Sequence, residues 1–112
     1  MIEIYVPDIN DSVGKIGIEG KEMFIRFTIN PKFDYWSFGL YKGNREPILP
    51  MVKIVPNAPL THYYRENGVP KGVFWCFSGQ DRIGREDFKN NKAQFVYIPL
   101  NELAEVASWQ TG

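Results

Sequence analysis

A chain of 112 residues, 44% hydrophobic and 15% aromatic against 23% charged, is sized for one domain that buries roughly two-thirds of its unfolded surface. The thirteen basic and thirteen acidic side chains cancel to a net charge of zero, so no global field draws the molecule to polyanions, and the composition is not that of a disordered chain. One cysteine excludes an internal disulfide, and one cysteine with one histidine fall short of the ligand set of a zinc site.

The opening "MIEIYVPDIN" has no basic region leading into an apolar stretch, and no segment reaches the ~18 uncharged apolar residues of a membrane span. The expectation is a soluble, unsecreted protein kept in a reducing compartment. "VGKIGIEG" repeats glycine at Gly14, Gly17 and Gly20 but fits neither G-x-G-x-x-G nor the Walker pattern, and no helix follows to present amides to a phosphate. It reads as a strand with Ile16 and Ile18 facing one way, a bulge at a glycine, and a turn at "EGKE".

Alternation then becomes strict. "MFIRFTI" sets Met23, Ile25, Phe27 and Ile29 against Phe24, Arg26 and Thr28, and "DYWSFGLY" sets Trp36, Phe38 and Leu40 against Tyr35, Ser37, Gly39 and Tyr41. "NPKFD" between them is a turn, which makes the pair a hairpin. Pro47, Pro50 and Pro56 bracket "PILPMVKIVP", predicting a short edge strand at about Met51 to Val55.

"LTHYYR", the turn "NGVPKG", "GVFWCFS" and "QFVYIPL" complete about five to eight strands, with Phe95 and Tyr97 facing opposite to Val96 and Ile98. Between the last two strands, "DRIGREDF" is expected to form a short helical turn. Asp81 and Arg85, and Arg82 and Glu86, are four apart and so paired on its surface, while Ile83 or Phe88 points inward. "LNELAEVAS" predicts a marginal C-terminal helix capped by Asn101, with Leu103 and Val106 on one face. The fold class is all-β, a small antiparallel barrel or sandwich, with a single domain over 1–106 and a loose tail at 107–112.

Chemistry finds little footing. Cys76 and His62 sit on neighbouring predicted strands, but Cys76 lies among aromatics where a thiolate is costly to form. Glu86 and Asp87 are contiguous and cannot flank a glycosidic bond. No catalytic, metal-ligating or cofactor-binding residue is assigned. Tyr35, Tyr41, Phe24 and Tyr97 are read as an outward aromatic set, which suits either stacked bases or a protein interface. The 81–92 stretch interleaves Asp81, Glu86 and Asp87 with Arg82, Arg85, Lys89 and Lys92, a balance that disfavours nucleic acid.

"PLTHYYR", a glycine-bearing turn and "GVFWCFSGQDRIGREDFKNNKAQFVYIPLNEL", preceded by the "EMFIRFTIN…DYWSFGLY" hairpin, resemble the baseplate plug proteins of contractile-tailed bacteriophages and their prophage relatives. The resemblance runs from Ile2 to about Leu103 and is carried by Pro59, Leu60, Tyr64, Arg65, Asp81, Leu100 and the strand Phe95 to Ile98. It implies a non-enzymatic structural subunit of the virion tail, assembled in the host cytoplasm. It also implies packing against hub, tube or wedge proteins near the tail axis, as a homo-oligomer within the assembly. Tyr35, Tyr41, Tyr64, Arg65, Arg82, Arg85 and Lys89 are the candidate interface residues; no cofactor, membrane or nucleic-acid partner is expected. The alternative is a small β-barrel that binds single-stranded nucleic acid.

Overall fold

The computed structural model of the protein describes residues 1–61 and 69–103. Seven strands form: β1 (Ile2–Glu3), β2 (Asp11–Ile18), β3 (Lys21–Asn30), β4 (Tyr35–Lys42), β5 (Pro47–Lys53), β6 (Val73–Ser78) and β7 (Ala93–Ile98). A 3-10 turn at Leu100–Glu102 follows, with Pro99 rather than Asn101 at its cap position. All strand pairs are antiparallel, in two sheets of order β1-β7-β6 and β2-β3-β4-β5. The sheets do not close into a barrel, so of the two architectures expected the sandwich is the one adopted.

The larger sheet is a meander whose turns follow from its sequence. Ile18 pairs with Lys21 across Glu19 and Gly20, both at positive φ, the signature of a primed two-residue turn that matches strand twist. Pairing of β2 with β3 is then regular from Asp11↔Thr28 to Ile18↔Lys21, so no glycine of β2 carries the expected bulge. At the next turn, Asn30 Oδ1 accepts hydrogen bonds from the backbone N–H of Lys32 (3.1 Å) and Phe33 (3.2 Å), and Asp34 closes the loop at φ 53°. The proline-bearing strand does lie at an edge, as β5, but begins at Pro47, with register shifts against Phe38, Leu40 and Tyr41.

The core lies between the sheets. Phe27 and Phe38 of the larger sheet meet Phe74 and Phe95 of the smaller, with ring centroids at 5.1 Å for Phe27–Phe95 and Phe38–Phe95 and 5.3 Å for Phe38–Phe74. Such pairs contribute roughly 0.5–1.5 kcal/mol each beyond their area. The smaller sheet is covered on its other side too. Val73, Trp75, Val96 and Ile98 form a second buried cluster, against which Phe77 and Leu103 pack. Val106, the 107–112 tail, and His62, Tyr64 and Arg65 of the predicted "LTHYYR" strand lie outside the described residues.

Candidate protein-interaction face

Strand alternation divides the larger sheet sharply. The register that buries Met23, Ile25, Phe27, Trp36, Phe38 and Leu40 turns Phe24, Arg26, Tyr35 and Tyr41 outward, with Phe24 directly across from Tyr41. Cations lie over these rings. Arg45 and Lys15 stand 5.6 and 5.9 Å from the Phe24 centroid, and Lys53 stands 4.8 Å from that of Tyr35. Arg26 forks onto Asp11 at 2.9 and 2.7 Å. That hydrogen bond, with one to Tyr41, holds the guanidinium's pKa up, while the same contact holds the Asp11 carboxyl below its usual range.

Two hollows mark the ends of this face. One, of about 450 Å³, is bordered by Phe24, Arg26, Tyr41 and Arg45. The other, of about 280 Å³, is bordered by Phe33, Tyr35, Lys53, Val55 and Arg82. The fold therefore brings Tyr35 and Arg82 to one cleft and sets Tyr41 apart from them at the far end of β4.

Arg82 arrives there because the 79–92 connection crosses to the other sheet. Its guanidinium donates to the Asp34 carbonyl oxygen (2.7 Å) and Oδ2 (3.0 Å), and Asp34 Oδ1 accepts from the Arg85 backbone N–H at 2.8 Å. Arg85 donates through Nε to Asn10 Oδ1 (2.9 Å) and through a terminal nitrogen to Asp8 Oδ1 (2.7 Å), and lies 5.4 Å from the Trp36 ring. Trp36 Nε1 donates to the Gly84 carbonyl at 3.1 Å, and Ile83 is buried in the core.

This geometry corrects two expectations. The connection holds hydrogen-bonded turns, with one helix-like bond from Asn90 N–H to the Glu86 carbonyl (2.9 Å), and is not a helical segment. The expected Asp81–Arg85 and Arg82–Glu86 pairs do not form, because Arg82 and Arg85 turn to Asp34 and Asp8 instead; only Lys89 has an acid on its own turn, Glu86 at 3.8 Å, beside Asp8 at 3.6 Å. The Arg85 hydrogen bond holds the Asp8 carboxyl below its usual range, and Lys89 adds to the effect.

Tyr97 is a third correction. It is fully buried between the sheets, accepts from the Gly72 N–H at 2.9 Å and donates to Glu19 Oε1. Burial first, then the Glu19 contact, push its phenol up. Cys76 is buried as well, and loss of solvation pushes its thiol up to about 12, far from the thiolate a nucleophile needs. Among the described residues no cluster of three His, Cys, Asp or Glu is placed to hold a metal, and no helix is long and apolar enough to cross a membrane.

Sequence reading found the outward tyrosines through their period-two spacing. It missed the cations over the rings, Lys15, Arg45 and Lys53, and the acids Asp8 and Asp34 that hold the corner. Lys15 and Lys53 are visible only once strand register is known, because each reaches its ring from a neighbouring strand.

The fold thus defines a compact two-sheet β domain that presents an aromatic and cationic outer face and keeps its one thiol in the core. Comparison with protein families gives that class its particular member: the profile described as cyanophage baseplate Pam3 plug gp18 matches residues 1–101, and the chain belongs to this family. It is therefore a structural subunit of the phage tail baseplate that associates with other tail proteins in the virion. Comparison with curated proteins gives no match.

Proposed function

We propose that the subunit packs against hub, tube or wedge proteins near the tail axis through the outward face of β3, β4 and β5, and that several copies take part in each baseplate. The observation that carries the proposal is the row of aromatics with their cations, Phe24, Tyr35 and Tyr41 with Arg26, Arg45 and Lys53, on a sheet whose other face carries the core on β3 and β4. Aromatic and arginine side chains dominate protein interfaces, and this face joins both at no net-charge cost to the chain. Arg82 extends the face at its Tyr35 end; Tyr64 and Arg65 belong to the same proposal, outside the described residues. Arg85 and Lys89 belong to the same proposal at the Asp8 corner, where the Arg85 side chain, 27% exposed, offers less surface than Arg26 or Arg82.

The same cations weigh against single-stranded nucleic acid. A stacked base needs an open ring face, and Lys15, Arg45 and Lys53 stand over those of Phe24 and Tyr35. The test is a Tyr35→Ala, Tyr41→Ala double variant supplied during tail assembly. Its incorporation into purified tails is expected to fall at least about tenfold, corresponding to two modest interface anchors, with an unchanged far-UV spectrum. Normal incorporation overturns the docking face, and salt-sensitive oligonucleotide binding by the unaltered chain overturns the protein-partner reading in favour of nucleic acid.

A further inference from the structure

The four sheet edges are not alike. The edge of β6 is covered by the preceding segment, through hydrogen bonds from Asn57 N–H to the Cys76 carbonyl (2.8 Å) and from Leu60 N–H to that of Phe74 (2.9 Å). The β5 edge carries Pro47 and Pro50, and β1 is only two residues long. These are the usual guards against edge pairing. β2 has none of them: it is eight residues long, contains no proline, pairs with β3 without a bulge, and has one neighbour among the described residues. Val13 on it is 59% exposed, and a Cβ built on Gly14 or Gly17 would meet nothing within 4 Å, so both faces of the strand are open there, with residues 2–5 and 7 bordering its inner side across a hollow of about 350 Å³.

The backbone groups that face this edge can be identified. Ile29 N–H donates to the Asn10 carbonyl at 3.0 Å, so Asn10–Ile29 is a hydrogen-bonded pair, and in an antiparallel ladder such pairs alternate. Ser12, Gly14, Ile16 and Ile18 therefore bond to β3, while Asp11, Val13, Lys15 and Gly17 turn their N–H and C=O groups toward solvent. The side chains of Asp11, Val13 and Lys15 share the outer face of the sheet.

We propose that this edge pairs with β2 of a second copy, antiparallel about a two-fold axis at Val13. In that register Val13 faces its own counterpart, and Asp11 of each chain faces Lys15 of the other. All are residues whose backbone groups point outward, so every pair can exchange two hydrogen bonds. Within its own chain Asp11 holds Arg26 and Lys15 lies 3.4 Å from Glu22, so the crossed pairs extend these contacts across the seam. Shifting the axis to Lys15 or to Asp11 sets like charges opposite each other, and axes at Ser12 or Gly14 set no unlike charge across from either. Hydrogen-bond alternation admits every one of these axes, since each sets outward-facing residues opposite one another, and charge selects Val13 among them. Inside the ladder Ser12 faces Gly14, two small residues that let the strands approach. One strand pair is a small contact by the standard of permanent dimers, so the association is concentration-dependent and joins the two four-stranded sheets into one continuous sheet.

The pairing does not rest on the docking face proposed above, and the isolated full chain tests it. Sedimentation equilibrium is expected to show a species of twice the 13.0 kDa chain mass as concentration rises. In amide hydrogen exchange, Asp11, Val13 and Lys15 are expected to gain protection with concentration, while Ser12, Gly14 and Ile16 are protected throughout. Val13→Pro removes an edge N–H without touching a β2–β3 bond, and is expected to raise the dimer dissociation constant at least about tenfold at unchanged far-UV spectrum. Should that variant fail to fold, Lys15→Glu serves the same purpose through charge. Lys15→Glu mixed with Asp11→Lys is expected to restore a heterodimer, because every crossed pair is then attractive. A chain that stays monomeric at millimolar concentration, or a dimer that these variants leave intact, overturns the pairing and leaves the family assignment and the docking face standing.

Discussion

Arg85 joins the 79–92 connection to the segment ahead of β2 and to the Asp34 turn. From sequence it is one member of an exposed i,i+4 pair, worth a few tenths of a kilocalorie. In the structure its guanidinium ties Asp8 and Asn10 while lying against Trp36, and its side chain is 27% exposed. Arg85→Ala is therefore expected to cost about 1–3 kcal/mol in urea denaturation, as for a charge-assisted network with packing beneath it. A loss below about 0.5 kcal/mol would return Arg85 to the status of an isolated surface pair. Its partner sets a pH dependence. Because the folded Asp8 pKa is lowered from 3.8, its contribution is whole above the unfolded value and is lost as pH falls through the folded one. Melting temperature should thus drop on acidification below about pH 4, and Asp8→Asn should drop less over the same interval. Equal acid sensitivity in the two proteins would assign the effect to other carboxylates, Asp11 with Arg26 first among them.

At the scale of elements, legibility followed the range of the interaction that fixes each one. β3 and β4 were read nearly residue by residue, because Met23 to Ile29 and Trp36 to Leu40 alternate and a half-buried strand needs nothing beyond alternation. The β5 edge was legible from its prolines. The 79–92 connection was misread because local helical spacing lost to distant acceptors: Asp34 takes the Arg85 N–H and the Arg82 guanidinium, and Ile83 enters the core between them. Tyr97 was misplaced for a related reason. From Phe95 to Ile98 both faces of β7 are buried, so alternation could not say whether Tyr97 meets solvent. The β6–β7 pair yields its own prediction through Gly72, where a Cβ would collide with the Ile98 carbonyl oxygen and come within 2.7 Å of the Tyr97 hydroxyl. Gly72→Ala should cost about 2–4 kcal/mol, since backbone and a buried, hydrogen-bonded phenol must both shift. A midpoint of chemical denaturation unchanged from the parent protein would mean that this corner relaxes freely.

Over the whole molecule, contacts divide by sequence distance. β2 to β5 are joined by short turns and pair only with their chain neighbours, while the links that fasten the second sheet to them span 48 residues for Arg82–Asp34 and 77 for Arg85–Asp8. Closing the short loops of the meander comes at a lower entropic cost than closing those distant links. The meander is therefore expected to form early, with the corner fastening after the rate-limiting step. In stopped-flow experiments Arg85→Ala should then accelerate unfolding about tenfold and leave refolding almost unchanged. Slowed refolding would instead put the corner inside the folding nucleus. The corner where Asp8 and Asn10 hold the Arg85 guanidinium, beside the Asp34 turn that holds Arg82, acts on this view as a latch on lifetime. How long a subunit survives under load would depend on how rarely that latch springs open, more than on how favourable the closed state is at equilibrium.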